Sequence, residues 1–365
     1  MLFRSVVPPE ELVSLVLVSP GSTFSRREIT ETANKLTERL GDEGYAFGNV
    51  NAIPDVDQAN RTVVLTFFVD PGRRVYVRRV NISGNARTRD EVVRREIRQM
   101  EAGWISTGSL TRSRERLQRL GYFEDVNVET PAVPGSADQV DVNFKVKELP
   151  SGNLMAGLGF SQSQGIIINA SISQENFLGS GKRVTVAFNN SDVNTTYAID
   201  YLNPYWTVDG ISRGFRMSYR KTDAQNANVA NYTTDVFLTG MTLGLPINEF
   251  DTVAIAGDFE HTKLKTTDFS STQIRNFVEQ NGTTYDDFKL TGNWAHDTRD
   301  QALFPTRGVF QKLTASATVP GSDLEYYDLG YRHQYYHTLM KLFTVKLNAD
   351  LGYGNGYGGT GDLPF

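Results

Sequence analysis

From about residue 150 onward, apolar and polar side chains alternate with a period of two, the pattern of strands with one greasy face and one wet face. Phe343, Val345, Leu347, Ala349, Leu351 and Tyr353 share one face of a run whose other face carries Thr344, Lys346, Asn348 and Asp350. Val184, Val186 and Phe188 oppose Arg183, Thr185 and Asn189, and Phe215, Met217 and Tyr219 oppose Arg216, Ser218 and Arg220. Eleven such strands are predicted, separated by Gly, Asn, Asp and Ser turns, with one short helix near Ser271 to Gln280.

The first half mixes helical and strand periods and contains a repeat. Val63, Leu65, Phe67 and Val69 recur as Val140, Val142, Phe144 and Val146, and Gly44-Tyr45 recurs as Gly121-Tyr122, all at an offset of 77 positions. Matching landmarks at one spacing predict two copies of a small module. In the second copy a strand through Val75, Val77, Val80 and Ile82 ends at Ser83-Gly84-Asn85. Thr88 with Glu91 reads as a capping box opening a helix through Val93, Ile97 and Met100. A second helix with Leu110, Leu117 and Leu120 on one face stops at Gly121. Strands over Asp125 to Thr130 and Gln139 to Lys147 complete a β-α-α-β-β unit, two helices covering one face of a three-stranded sheet. The first copy is recognisable only from Pro8 to Gly72 and lacks the opening strand, so Met1 reads as an interior start within a longer protein. With the punctuation at Pro150-Ser151-Gly152, the expected division is a partial module over 1–72, a complete module over 73–148 and a strand-rich region over 151–365.

No stretch reaches the roughly 20 apolar residues a membrane-spanning helix needs, and no secretory leader is visible. The strands nevertheless run to about ten residues, enough to cross a bilayer at a tilt, and carry charges in mid-strand on the polar face. Aromatic residues gather near strand ends, as in Tyr201 with Tyr205-Trp206, Tyr326-Tyr327 and Tyr335-Tyr336. Together these favour a membrane barrel with interfacial girdles; a soluble β-sandwich, which also alternates, is the other reading.

Composition narrows the chemistry. Charged residues at 22% and hydrophobic residues at 39% exclude a disordered or fibrous chain. The absence of cysteine removes any disulfide framework, Cys-containing zinc site or thiol nucleophile. A net charge of -5 argues against general nucleic-acid binding. Gly354 to Gly359 spells a dinucleotide-binding fingerprint but opens no helix, and Gly179-Ser180-Gly181-Lys182 lacks both the upstream glycine and the following Ser or Thr. His296-Asp297 has no nucleophile partner, and His333 and His337 sit in a strand pattern, where four residues separate side chains widely. No catalytic residue, cofactor or metal ligand is assigned. One local charge stands out: between Gly72 and Leu120 there are thirteen arginines, no lysine and five acids. That surface is either a solvated helix face or a docking face for a partner or an anionic membrane.

Several long segments resemble one family. Val75-Tyr76-Val77-Arg78-Arg79 through Gly84-Asn85, Arg94 to Glu101, Glu115 to Glu124, and Asp138 to Val142 look like the last periplasmic module of the BamA family of outer membrane protein assembly factors, within the Omp85 superfamily. Gln174 to Gly179, Asn203-Pro204-Tyr205, Thr207 to Gly210, Phe304 to Gly308 and Pro320 to Asp323 resemble the same family's barrel. The resemblance implies α+β POTRA modules of β-α-α-β-β order in the periplasm. An all-β antiparallel transmembrane barrel of sixteen strands follows them in the outer membrane of Gram-negative bacteria. About eleven of those sixteen strands are present here, so the barrel is incomplete, and the chain stops at Gly361 to Phe365, before the family's Arg-Gly-Phe loop.

The implied activity is folding and inserting barrel proteins without nucleotide hydrolysis. A related secretion transporter and a passive outer-membrane pore are the competing functions. Expected partners are unfolded barrel proteins, accessory lipoproteins of the assembly complex and outer-membrane lipid, with no cofactor and no nucleic acid. By the resemblance, the accessory lipoprotein would meet Arg94, Arg95, Glu96 and Arg98. The first barrel strand, Asn153, Leu154, Met155, Ala156, Gly157, Leu158, Gly159 and Phe160, would be the lateral gate that pairs with a substrate strand. Gly157 and Gly159 weaken that strand, either for gating or to relieve crowding at a curved seam. Each module also has a sheet edge that could template an extended chain unless its neighbour covers it.

Overall fold

The computed structural model describes residues 7–226, 231–248, 250–300, 304–340 and 343–360. The expectations about the start at Met1 and the stop at Gly361 to Phe365 lie outside them. The chain divides into two compact units, Met1–Ser151 with Leu178–Ser180, and Gly152–Phe177 with Gly181–Phe365.

In the first unit, α1 (Pro9–Ser14), α2 (Arg26–Asp42), β1 (Asn49–Asp57) and β2 (Thr62–Asp70) form the first module. Helix α2 starts where the Ser25 hydroxyl accepts the Glu28 N–H at 3.4 Å, satisfying one of the orphan donors of the first turn. Its buried face sets Leu36 and Leu40 against Val50, with Phe67 and Val69 of β2 packed alongside. The second module follows as β3 (Tyr76–Ser83), α3 (Asp90–Arg94), α4 (Thr107–Arg119), β4 (Phe123–Glu129) and β5 (Gln139–Glu148). Its sheet order is β3-β5-β4, parallel between β3 and β5 and antiparallel between β4 and β5. The alternating valines of β5 turn one face inward, and Val140, Val142, Phe144 and Val146 meet Val92, Val93 and Leu117 in one core. Gly84 ends β3 at φ +88°, and a Cβ there would lie 1.9 Å from the Val146 carbonyl oxygen, so both the backbone conformation and the close approach require glycine.

Two expectations about the second module are corrected. Thr88 does not cap a helix: α3 begins at Asp90 with Arg89 in the cap position and no side-chain capping bond. Thr88 is buried instead, and its N–H donates to the Glu148 carboxylate at 2.6 Å, beside the Arg87 N–H at 3.0 Å. The helix also ends at Arg94, so Met100 is not on a buried helical face and is 78% exposed. Spacings of four and three residues fit a helix, but Glu101 turns back to accept the Val80 N–H at 2.8 Å.

The second unit is one antiparallel meander of eleven strands: β6 (Gly152–Ser161), β7 (Gly165–Phe177), β8 (Lys182–Asn190), β9 (Asn194–Asn203), β10 (Ser212–Asp223), β11 (Tyr232–Pro246), β12 (Asp251–Thr266), β13 (Thr284–Asp297), β14 (Gly308–Thr318), β15 (Tyr326–Met340) and β16 (Phe343–Gly356). Each strand pairs with the next along the chain, leaving β6 and β16 at the two ends. The strands are staggered: Ser212 at the start of β10 faces Gly244, whereas Gly308 at the start of β14 faces Tyr336, with β15 running on to Met340. Progressive stagger of this kind is what tilted barrel strands require. The one helix foreseen here is α5 (Thr272–Asn281), capped by Ser271, with Ile274 and Phe277 packed on Leu264, Tyr285 and Leu324.

Glu148 gives a pH-dependent prediction for the second module. Burial works to raise its carboxyl pKa, but hydrogen bonds from Thr88 and the Arg87 N–H outweigh it and hold the group below the usual range. A lowered folded-state value contributes stability above the unfolded-state value and loses it as pH falls through the folded value. Between neutral pH and about pH 3, the urea midpoint of the periplasmic modules should therefore fall more steeply in the wild type than in Glu148→Gln; equal slopes would refute this role.

Candidate functional site

Three surfaces carry the expected functional residues, and they differ in how far the fold makes them available. On the second module, Arg94 and Arg98 are exposed beside Met100. Arg94 Nε lies 2.9 Å from Asp90 Oδ2, an i,i+4 pair along α3, and Arg98 donates to the Arg95 carbonyl at 3.1 Å. A cleft of about 250 Å³ runs between Val80, Arg94, Ile97, Gln99, Met100 and Glu101. Glu96 differs from its neighbours: it is only 3% exposed, and its Oε2 meets Arg116 of α4 at 2.7 Å. It holds the arginine loop against α4 from inside and offers no surface charge. Ser113 supports the same loop, its hydroxyl accepting the Arg98 N–H at 2.8 Å. Sequence reasoning missed Met100 as a surface residue, because its three-residue spacing from Ile97 concealed the break after Arg94.

The sheet edges of that module are unequal. Val77 exchanges bonds with the segment beyond Glu101, its N–H donating to the Gly103 carbonyl at 2.9 Å and its carbonyl accepting the Ala102 N–H at 2.8 Å. The Ile105 N–H reaches Val75 at 3.0 Å, so this segment covers the edge of β3. The other edge belongs to β4. On the outer sheet face, Arg78 pairs with Asp141 at 2.5 Å, Lys145 with Glu129 at 2.8 Å and Lys147 with Glu124 at 2.7 Å.

In the second unit the expected gate residues, Asn153 to Phe160, all lie in β6. This strand pairs with β7 from Gly152 opposite Gln174 to Ser161 opposite Gly165. Leu154, Met155, Leu158 and Phe160 are 67–81% exposed. A Cβ on Gly157 would meet nothing within 4 Å among the described residues, and on Gly159 only the Ile167 Cβ at 3.8 Å. Crowding within this sheet therefore does not impose either glycine.

The two sheet faces have opposite chemistry. One bears Leu158, Ile172, Val186, Ile199, Met217, Ile255, Leu290 and Leu351, all at least 44% exposed. The other bears ion pairs between strands: Asp200 with Arg216 at 2.9 Å, Lys289 with Asp328 at 3.1 Å and Arg332 with Asp350 at 2.6 Å. Asp258 stands opposite Lys289 on one side and Gly240 on the other, and Gly240 in turn faces Arg216. A Cβ on Gly240 would lie 1.8 Å from Asp258 Oδ1, so the missing side chain is what lets the carboxylate lie over β11.

A polar, ion-paired face on one side and a face whose middle band is apolar on the other, in strands of 9–16 residues, is the arrangement of a sheet between lipid and an aqueous lumen. Known proteins agree. Residues 176–365 match the Omp85 superfamily domain, and residues 4–72 and 75–149 match POTRA, the surface antigen variable number repeat. The chain belongs to the Omp85 superfamily. It is 32% identical to the outer membrane protein assembly factor BamA of Neisseria meningitidis serogroup B over 98% of this chain and 46% of that protein. To BamA of Buchnera aphidicola it is 27% identical over 71% of this chain and 42% of that protein. The chain thus spans about half the length of the curated relatives it matches. The crystal structure of BamA from Haemophilus ducreyi lacking POTRA domains 1–3 superposes with a TM-score of 0.71 at 30% identity, covering 96% of this chain and 69% of that one. This Omp85 chain lies in the outer membrane with its POTRA repeats in the periplasm. Its charged sheet face is therefore the luminal one.

The luminal row yields a stability prediction. Gly240→Ala should displace the Asp258 carboxylate from between its cationic neighbours at a cost of about 1–3 kcal/mol. The folded, heat-modifiable form on gels should then convert to the unfolded form at a lower temperature, and an unchanged transition would refute the role given to Gly240.

Proposed function

We propose that this Omp85 chain is the membrane-proximal part of an outer membrane protein assembly factor that folds and inserts β-barrel proteins without catalysing a chemical reaction. The observation that carries the proposal is the similarity to BamA across 98% of the chain, modules and sheet alike. In this reading residues 1–72 are a partial module, 73–148 a complete one and 151–365 the first part of the barrel.

The edge strand β6 supplies the mechanism. A strand at a sheet edge presents a row of N–H and C=O groups that an incoming strand can pair with. Backbone pairing reads little sequence, which suits a factor with many clients. Gly157 and Gly159 lower the strand's hold on any resident partner, each by roughly 0.5–1 kcal/mol relative to alanine. Neither glycine is imposed by a neighbour on β7, which agrees with a gating role. In the second module, covering of the β3 edge supports β4 as the edge available to an extended chain.

Accessory lipoproteins are the proposed partners of the Arg94, Arg98 and Met100 surface, with Arg95 and Glu96 fixing the loop that presents it. An exposed thioether flanked by guanidinium groups suits an interface with an apolar centre and an acidic rim. The proposal is tested in the full-length protein by photo-crosslinking from Leu154, Ala156 and Leu158 to a stalled barrel substrate. Crosslinks are expected at these outward positions, and folding of unrelated barrels into liposomes should be accelerated. A protein that crosslinks nothing there and leaves client folding unaccelerated would instead be a pore or a transporter.

A further inference from the structure

The lipid-facing side of the sheet carries a polar register row at one end of β12 to β15. His296 on β13, Gln311 on β14 and His333 on β15 occupy directly opposed positions, and Asp251 on β12 completes the row opposite His296. The adjacent row on the same face, one step toward mid-sheet, is Val253, Trp294, Leu313 and Tyr331. The polar row is thus continuous with the apolar band, at the strand ends on the side where β6 begins. Since β6 follows directly from the periplasmic modules, that is the periplasmic side.

Each histidine is held laterally. His296 stacks on Trp294 with centroids 6.2 Å apart and planes 21° apart, and its Nδ1 lies 2.9 Å from Asp251 Oδ1. His333 stacks on Tyr331 at 6.4 Å and 27°, and its Nδ1 lies 3.3 Å from Gln311 Nε2 and 3.5 Å from the Tyr331 hydroxyl. Among the described residues, neither Nε2 has a hydrogen-bond partner. His333 Nδ1, facing the Gln311 amide nitrogen, accepts, so its proton sits at Nε2 and is available as a donor to an anion, with the Gln311 amide beside it. His296 donates through Nδ1 to Asp251 and engages the one carboxylate in the row.

We propose that His333 and Gln311 donate to the phosphodiester headgroup of a phospholipid in the periplasmic leaflet, with His296 tying back the Asp251 carboxylate that would otherwise repel it and Trp294, Leu313 and Tyr331 lying against its glycerol and upper acyl region. The shared chemistry is that of any phosphate, but the continuous apolar row selects the lipid as its source. Aromatic rings with one polar edge settle at headgroup level, where a hydrogen-bonding group can reach the phosphate. An anchored lipid at this row would fix the height of β12 to β15 in the bilayer independently of any assembly activity.

The test uses the full-length protein and phosphatidylethanolamine and phosphatidylglycerol in equal parts, with bound lipid counted by native mass spectrometry. His296→Phe/His333→Phe keeps two aromatic rings and removes the nitrogens; it should lower lipid retention about tenfold while heat-modifiable migration is preserved. Should that variant fail to fold, Gln311→Leu supplies the same readout with a smaller loss. Histidine-ring NMR signals of the wild type should shift on adding phosphatidylglycerol. Unchanged retention in the folded variants, static ring signals, or equal shifts with inorganic phosphate or with diacylglycerol would each overturn the proposal.

Discussion

A strand in hydrocarbon has no water to satisfy its N–H and C=O groups, so each must pair with a neighbouring strand or cost several kcal/mol. That constraint governs the second unit. It accounts for the uninterrupted meander from β6 to β16, each strand paired with the next along the chain, and for the short turns between most of them. It also makes an unpaired strand edge the costly part of any such sheet. Side chains can be exchanged on either face at modest cost, but the backbone at an edge strand demands a partner. The glycines of β6 work within this constraint: they weaken packing while leaving the demand for backbone pairing intact.

The two units use the same period-two grammar with opposite solvents. In β5 the alternation buries Val140, Val142, Phe144 and Val146 against α3 and α4, and the outward face is closed by ion pairs such as Arg78 with Asp141. In the sheet of the second unit no helical layer covers the apolar face among the described residues, and ion pairs such as Arg332 with Asp350 lie on the luminal side. A soluble sandwich would have required a second sheet against Leu290, Ile255 and Leu351. Lipid takes that place, and large apolar residues such as Leu290, Ile255 and Leu351 stay exposed on this face.

Period two made the strands legible from sequence, because a slip of one residue would exchange the two faces of each strand. The repeat of 77 positions likewise exposed the second module, since its landmarks, an inward-facing strand and a glycine after a helix, are local. Less legible were features set by tertiary partners. The segment after Arg94 has helical spacing but is unwound, because Glu101 and Gly103 are drawn to the edge of β3. Glu96 looked like a surface charge within an arginine run, and only the approach of Arg116 from α4 makes it an internal clamp. Gly240 carried no signal, because the carboxylate that fills its space comes from the next strand.

Charge placement links the stability of the sheet to its role. Unpaired charges on the luminal wall would draw extended clients or ions into the interior, whereas pairs such as Asp200 with Arg216 and Arg332 with Asp350 are locally neutral. In the proposed activity such neutralised pairs would compete weakly for an incoming chain, which favours the edge of β6 as the place of pairing. On the outer face the polar row at His296 and His333 is likewise internally tied, each ring held by a neighbour on its own or the adjacent strand. Both faces hold these polar groups against neighbours in the sheet, whereas an unpaired strand edge leaves a whole row of N–H and C=O groups open, the asymmetry that the proposed insertion activity would use.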